Sequence, residues 1–135
     1  MATKLLELTN TDRAFYPTLG PFLANREVHK AIGGVPWDDD TKTWLILKDT
    51  RKGVLGFCAV AARGNRTIVE SLYTRPEWRR VAAELVGAAV DRYGDRDLHA
   101  TVRHQIAPAY TEAGFEVVRE TKQFVTLVRK ATPRD

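Results

Sequence analysis

Cysteine is almost absent: Cys58 is the one example in 135 residues. No internal disulfide can form, and the apolar, strand-like surroundings mark Cys58 as a small core residue. Metal-ligand spacing is missing as well: the three histidines form no ligand set, and the lone thiol adds nothing to them. No metal is expected. No apolar run approaches the roughly 20 residues that span a bilayer. The opening MATKLLELTNTDR turns polar after a few apolar residues, unlike a secretory leader. A cytoplasmic protein without membrane contact is therefore the expectation. Internal repeats and low-complexity tracts are also lacking, and only the closing ATPRD looks frayed. Neither a recognition-helix signature nor the aromatic-basic interleaving of RNA readers is present, which counts against nucleic acid as a partner.

What is there suits one domain over residues 1–135: 44% of the chain is hydrophobic, enough for a single core. The net charge of +4 is a mild bias that suits a nucleotide-bearing cofactor, nucleic acid, or simply a soluble basic protein. The most informative stretch is IVESLYTRPEWRRVAAELVGAAVDRY, Ile68 to Tyr93. It begins as a buried strand and turns through TRP. From Val81 the apolar residues Val81, Ala82, Leu85, Val86, Ala89, Val90 and Tyr93 then recur at helical spacing. Arg75, Arg79 and Arg80 crowd the junction. A helix start presents unpaired N–H groups and a positive dipole end, which suits a phosphate, and guanidinium groups add charge-assisted bonds. Solvated arginines on an ordinary strand-turn-helix are the plainer alternative.

Along the rest of the chain, Lys4 to Leu8 predicts a strand, followed by capping oxygens at Asn10, Thr11 and Asp12. Asp12 to Ile32 predicts two short helices divided near Gly20 and Pro21, the second ended by Gly33 and Gly34. Trp44 to Lys48 and Val54 to Ala62 read as strands, with a second turn at Gly64–Asn65 leading into the central strand. Gly94 and Asp95 end the long helix. Leu98 to Val102 is a strand and Ile106 to Ala113 a short helix closed by Gly114. Phe115 to Arg119 and Phe124 to Arg129 finish as strands. The order is β-α-α-β-β-β-α-β-α-β-β in a single-domain α/β fold with a mixed sheet. The helical crossover from the central strand to Leu98 predicts a parallel pair there.

With that order in place, three patterns resemble the GNAT superfamily of acyl-CoA-dependent N-acyltransferases. They are ESLYT-x-P-x-W-R for its central strand and turn, the crossover helix, and AYTEAGFE for its Tyr-x-x-x-Gly-Phe segment. The resemblance runs nearly end to end. It implies acetyl-CoA as acyl donor, with the pantetheine arm on the backbone of Leu72, Tyr73 and Thr74. It puts the pyrophosphate near Arg79, Arg80, Val81 and Ala82, and Tyr110 where many members keep a tyrosine that protonates the leaving thiolate. One departure stands out. The usual Arg/Gln-x-x-Gly-x-Gly/Ala loop is replaced by RRVAAEL, although backbone N–H groups can cradle a phosphate without glycine.

Amine attack on a thioester needs a neutral amine, a stabilised carbonyl oxygen and a departing sulfur that can be protonated. Glu70, a carboxylate among apolar strand residues, is the candidate base or amine anchor. Its alternative is a structural glutamate paired with an arginine such as Arg66. Tyr110 is the candidate proton donor, or else a helix residue packed beneath Phe115. His29 and His104 could relay protons, though a lone histidine is more often structural or solvated. Trp37 with Asp38, Asp39 and Asp40 forms an aromatic-acidic loop suited to a cationic amine, or simply a solvated acidic loop. The acceptor is expected to be a primary amine on a small molecule or a protein. Nucleic acid is less favoured, and a homodimer is compatible. The competing functions are a nucleic-acid-modifying protein on the same scaffold, resembling the phage Mom family, and an inactive relative serving as a binding module.

Overall fold

The computed structural model describes residues 3–132. The chain runs β1 (Thr3–Leu8), α1 (Phe15–Leu23), α2 (Arg26–Ile32), β2 (Lys42–Asp49), β3 (Gly53–Arg63) and β4 (Arg66–Thr74). After a 3-10 turn at Pro76–Trp78 come α3 (Val81–Tyr93), β5 (Leu98–Arg103), α4 (Ala107–Thr111), β6 (Glu116–Glu120) and β7 (Phe124–Arg129). The expected element order is the observed one. The expected fraying of ATPRD falls partly on residues 133–135, outside the described residues. Just before them the Ala131 N–H donates to the Asp97 carboxylate at 2.8 Å and the Thr132 N–H to the Gly94 carbonyl at 2.9 Å.

The seven strands form one sheet in the order β1-β2-β3-β4-β5-β7-β6. β1 to β4 are antiparallel, with hairpins joining β2 to β3 and β3 to β4, and the α3 crossover makes β4 and β5 parallel, as the sequence predicts. Alternation then sorts the side chains. Leu45, Leu47, Cys58 and Val60 join Leu85, Val86 and Tyr110 in a core beneath α3 and α4. Trp44, Ile46, Phe57 and Ala59 pack with Phe15, Leu19 and Val28 of α1 and α2 on the other face.

The early helices differ from expectation in two ways. α1 continues through Gly20 and Pro21 and stops at Leu23, and Asn25 divides the pair. Proline forfeits one helical N–H bond, but Phe15, Leu19, Phe22 and Leu23 bury one stripe on both sides of it. Asn25 instead caps α2, its side chain accepting the Glu27 N–H at 2.8 Å and the Val28 N–H at 3.3 Å. Nor do Asn10, Thr11 and Asp12 cap α1, whose first flanking residue is Ala14 without a side-chain bond. Asp12 closes a turn by accepting the Thr9 N–H at 2.8 Å, and Asn10 donates to Asp40 at 3.0 Å.

Two irregularities set the geometry of β4. Ser71 has φ +58°, and Phe57 pairs with Tyr73 while Ala59 pairs with Glu70, so β4 carries one extra residue. This bulge resets the alternation: Glu70 and Tyr73 both face α1 and α2, while Val69 and Leu72 both face α3. On its other side β4 pairs with β5 only at Thr67–Leu98 and Ile68–His99. Past Ile68 the parallel strands part.

Gly56, opposite Thr74, permits that geometry. A Cβ there would lie 2.6 Å from the Tyr73 carbonyl oxygen and 3.1 Å from Leu85 Cδ1. Because the closer neighbour is backbone, Gly56→Ala must push the end of β4 aside. A loss of about 1–3 kcal/mol is expected in urea unfolding.

Candidate active site

Where β4 and β5 part, a cleft of about 720 Å³ opens. One wall is the end of β4, with Leu72, Tyr73 and Thr74, running into Pro76, Arg79, Arg80, Ala82 and Ala83 at the start of α3. The opposite wall is Gln105 and Ile106, Pro108 and Ala109 of α4, and Glu112 just past its end. Glu27, Lys30 and Ala31 of α2 close the end belonging to the other sheet face. The cleft therefore passes from one face of the sheet to the other through the gap between the parted strands.

Of the residues the sequence singled out for a cofactor, Leu72, Tyr73, Thr74, Arg79, Arg80 and Ala82 line this cleft. Val81 does not. It is the first residue of the α3 stripe and is only 6 % exposed against the core, so only its backbone could face a ligand. Arg80 lies over the Trp78 ring at 4.8 Å, as does Lys52 from the β2–β3 turn at 4.8 Å. Stacking holds the Arg80 guanidinium at the mouth of the cleft.

Tyr110 sits on α4, but its ring turns away from the cleft into the core. It is 0 % exposed and meets Phe115 edge-on at 5.1 Å. Its hydroxyl is the one fully buried side-chain polar atom without a hydrogen-bond partner among the described residues. A buried hydroxyl left unpaired costs free energy, so this one is a group waiting for an acceptor. Burial pushes its pKa well above the ordinary value, with Cys58 and Glu70 adding to the shift. Cys58 is likewise pushed up by burial, to about 12.

Both groups stay protonated in the folded chain at pH values where the unfolded chain ionises. Their stabilising contribution is thus complete below the ordinary thiol value of 9.0 and is lost as pH rises towards 12. Urea unfolding at pH 7 and pH 10.5 should show a lower midpoint at the higher pH, and Cys58→Ala should reduce the difference. Cys58 should also resist thiol reagents in the native state.

Glu70 lies at the centre of an ion cluster on the α1 and α2 face. Its Oε1 is 3.1 Å from Lys42 Nζ and 2.8 Å from Arg63 Nη2, and that same Arg63 atom is 3.2 Å from Asp39. The alternative partner Arg66 is replaced by Arg63, which stands directly across the β3–β4 turn from it. Lys42 has a side chain only 2 % exposed. It also reaches the Trp37 carbonyl oxygen and lies over Trp44 at 5.5 Å.

The aromatic-acidic loop and His29 lie outside the cleft. Trp37 is 71 % exposed. Asp38 accepts the indole N–H of buried Trp44 at 3.0 Å. Asp39 is held by Thr41 and Arg63, and hydrogen bonds from Thr41 draw its pKa down. Asp40 accepts from Asn10. Each carboxylate already has a partner, so the loop is a strap bolted to the sheet. His29 Nε2 is 2.7 Å from the Leu23 carbonyl oxygen and His104 Nε2 is 2.8 Å from that of Thr121. Sequence reasoning passed over Glu27, Lys30 and Ala31, and also the opposite wall from Gln105 to Glu112. The i, i+3, i+4 spacing of Glu27, Lys30 and Ala31 puts them on one helix face, but what that face meets is settled only in three dimensions.

No protein-family model matches the chain, and no curated protein sequence aligns with it significantly. Its architecture does have close counterparts, and the fold is that of the GNAT N-acyltransferases. A structure of a putative N-acetyltransferase from Lactobacillus plantarum superposes with a TM-score of 0.73 at 13% identity, covering 98% of this chain and 100% of the other. The spermidine N-acetyltransferase of Vibrio cholerae, in complex with CoA and spermine, gives 0.67 at 14% identity over 93% of each chain. The N-acetyltransferase PseH of Campylobacter jejuni gives 0.63 at 15% identity, covering 96% of this chain and 99% of that one. No helix among the described residues is long and apolar enough to cross a membrane.

Proposed function

We propose that the protein is an acyl-CoA-dependent N-acyltransferase that moves an acyl group, acetyl in the simplest case, from the CoA thioester to a primary amine. The observation that carries this reading is the cleft between the parted ends of β4 and β5, with Arg79 and Arg80 at one mouth. Past Ile68, β4 has no strand partner on its β5 side, so its backbone can pair with the two amides of a pantetheine arm. Arg79, Arg80 and the first-turn N–H groups of α3 supply donors for the pyrophosphate. The Ala82 N–H already donates to the Arg79 carbonyl oxygen at 3.1 Å, so the donors are the two guanidinium groups and the other first-turn N–H groups. The absence of a glycine loop therefore does not remove the phosphate donors.

The lone pair of a neutral amine bonds to the thioester carbonyl carbon, and backbone N–H groups of β4 are the candidates to stabilise the oxygen. The C–S bond then breaks. The sulfur leaves with its electron pair and takes a proton from the Tyr110 hydroxyl, which regains one from the former amine nitrogen through water. The products are the amide and the free CoA thiol. This role fits the unpartnered hydroxyl of Tyr110, and it requires that hydroxyl, buried and not lining the cleft in the free protein, to turn towards the sulfur once the thioester is bound. Glu70 is the candidate for taking that single proton from the amine nitrogen and passing it on, directly or through water, on the face where α1 and α2 lie.

Binding is tested by melting the protein with acetyl-CoA. At about 100 times its dissociation constant the ligand should add about 2.7 kcal/mol of stability. Arg79→Ala should reduce that shift and leave the apo melting point unchanged. Arg80→Ala should reduce both, because it also loses the Trp78 stack. Release of free CoA, followed with a thiol reagent, identifies the acceptor as polyamines such as spermine, amino acids, lysine peptides and DNA are offered in turn. No melting shift at millimolar acetyl-CoA overturns the reading. CoA release with DNA alone would replace the amine by nucleic acid.

A further inference from the structure

The α2 end of the cleft carries two charges of opposite sign on one helical turn. Glu27 and Lys30 are three residues apart, both are exposed, and both line the cleft. Such neighbours, with Cβ atoms about 5–6 Å apart, commonly pair. Here neither makes an ion pair within 4.0 Å among the described residues, where the pairs formed involve other carboxylates and cations. Glu27 also lies within electrostatic reach of Tyr73, which lines the same wall. The Tyr73 phenol is pushed up mainly by its burial, with Arg75 opposing and Glu77 and Glu27 adding to the rise. The other carboxylates on this sheet face are already engaged: Glu70 by Lys42 and Arg63, Asp38 by Trp44, Asp39 by Thr41 and Arg63.

An unpaired anion and an unpaired cation on one wall are complementary to a ligand carrying both signs. We propose that Glu27 and Lys30 bind the ammonium and carboxylate of a free α-amino acid whose side chain carries a second amine, the one acylated. This inference rests on the acyltransferase reading and names its acceptor. A carboxylate beside an ammonium stabilises the charged form, so an amine held by Glu27 is the wrong one to attack a thioester. The nucleophile must be neutral and is therefore a different nitrogen of the same molecule. That nitrogen reaches into the gap between β4 and β5 while the zwitterionic head stays on α2. A lysine within a protein, whose backbone amine and carboxyl are both in amide bonds, has no such head.

The test titrates L-2,4-diaminobutyrate, L-ornithine and L-lysine into the protein by calorimetry, with and without CoA, so that chain length is covered. Each is compared with its decarboxylated diamine and its deaminated ω-amino acid, and turnover with acetyl-CoA is measured in parallel. The wild type should bind at least one amino acid about tenfold more tightly than either truncated counterpart. Lys30→Gln should remove the advantage over the diamine alone, and Glu27→Gln the advantage over the ω-amino acid alone. Added salt should weaken both contacts.

A wild type that binds the diamine as tightly as the amino acid overturns the proposal. Variants that weaken all three ligands equally, or none, overturn it too. If the amino acid shows the double pattern but acetyl-CoA neither binds nor turns over, the acyltransferase reading fails and the amino-acid site stands. If acetyl-CoA binds and is consumed with other amines while no amino acid binds, the amino-acid site alone fails.

Discussion

Tyr110→Phe is expected to cut turnover about a hundredfold or more while leaving the fold at least as stable as before. The change deletes one oxygen from a position where it has no partner in the free protein and keeps the edge-on contact with Phe115. Removing an unsatisfied buried hydroxyl relieves its desolvation cost, of order 1–3 kcal/mol. The rate effect comes from losing a general acid, about 10²–10⁴-fold in typical cases. Acetyl-CoA affinity should change little, so the loss appears in kcat and not as a smaller melting shift. Equal turnover in the two proteins would leave Tyr110 as a core residue only. The combination of unchanged or raised stability with lost turnover is the distinguishing result, because a packing defect would move both downward.

Glu70→Gln should lower stability by stranding a buried ammonium. Lys42 is buried with its side chain 2 % exposed, and Glu70 is the carboxylate at 3.1 Å from its ammonium. Removing one partner of a fully buried pair costs about 3–5 kcal/mol. Glu70 itself is 29 % exposed and shares its charge with Arg63, so a loss of about 2 kcal/mol is expected here. Adding Lys42→Met should recover most of it, since the pair then disappears together and the ammonium is no longer stranded. Urea unfolding of the two single variants and the double variant closes that cycle. Turnover separates structure from chemistry: Glu70→Gln should slow the reaction, and more steeply at low pH, where the amine is hardest to deprotonate. If Lys42→Met restores stability without restoring rate, Glu70 acts on the reacting amine. If both recover together, its role is to neutralise Lys42.

Much of the fold was legible from short-range patterning. The apolar spacing from Val81 to Tyr93 marked α3 at its observed start. The pairs Gly33–Gly34 and Gly64–Asn65 marked where the chain turns, and Gly33 and Gly64 both adopt positive φ. Pro21 misled because helix-breaking is a local cost, whereas the apolar stripe from Phe15 to Leu23 is rewarded only by packing on Trp44 and Phe57 across the sheet. The Trp37 loop misled for a related reason. Three adjacent aspartates look available in a sequence, yet in the fold they are engaged by Trp44, by Thr41 and Arg63, and by Asn10.

The sequence by itself determined the order of elements, the parallel crossover and the clustering of Arg79 and Arg80 at a helix start, because each depends on neighbours within a few residues. Only the tertiary structure decided which of these meet. The bulge at Ser71 reverses which side of β4 faces which helices, and nothing in ESLYT announces a positive φ at a serine. The parting of β4 from β5 after two residue pairs sets the site of the cleft, and it depends on strands separated by a whole helix. α2 brings Glu27 and Lys30 to that gap from the opposite face. Such placements are set by long-range packing, in which a residue's role depends on where distant segments come to rest.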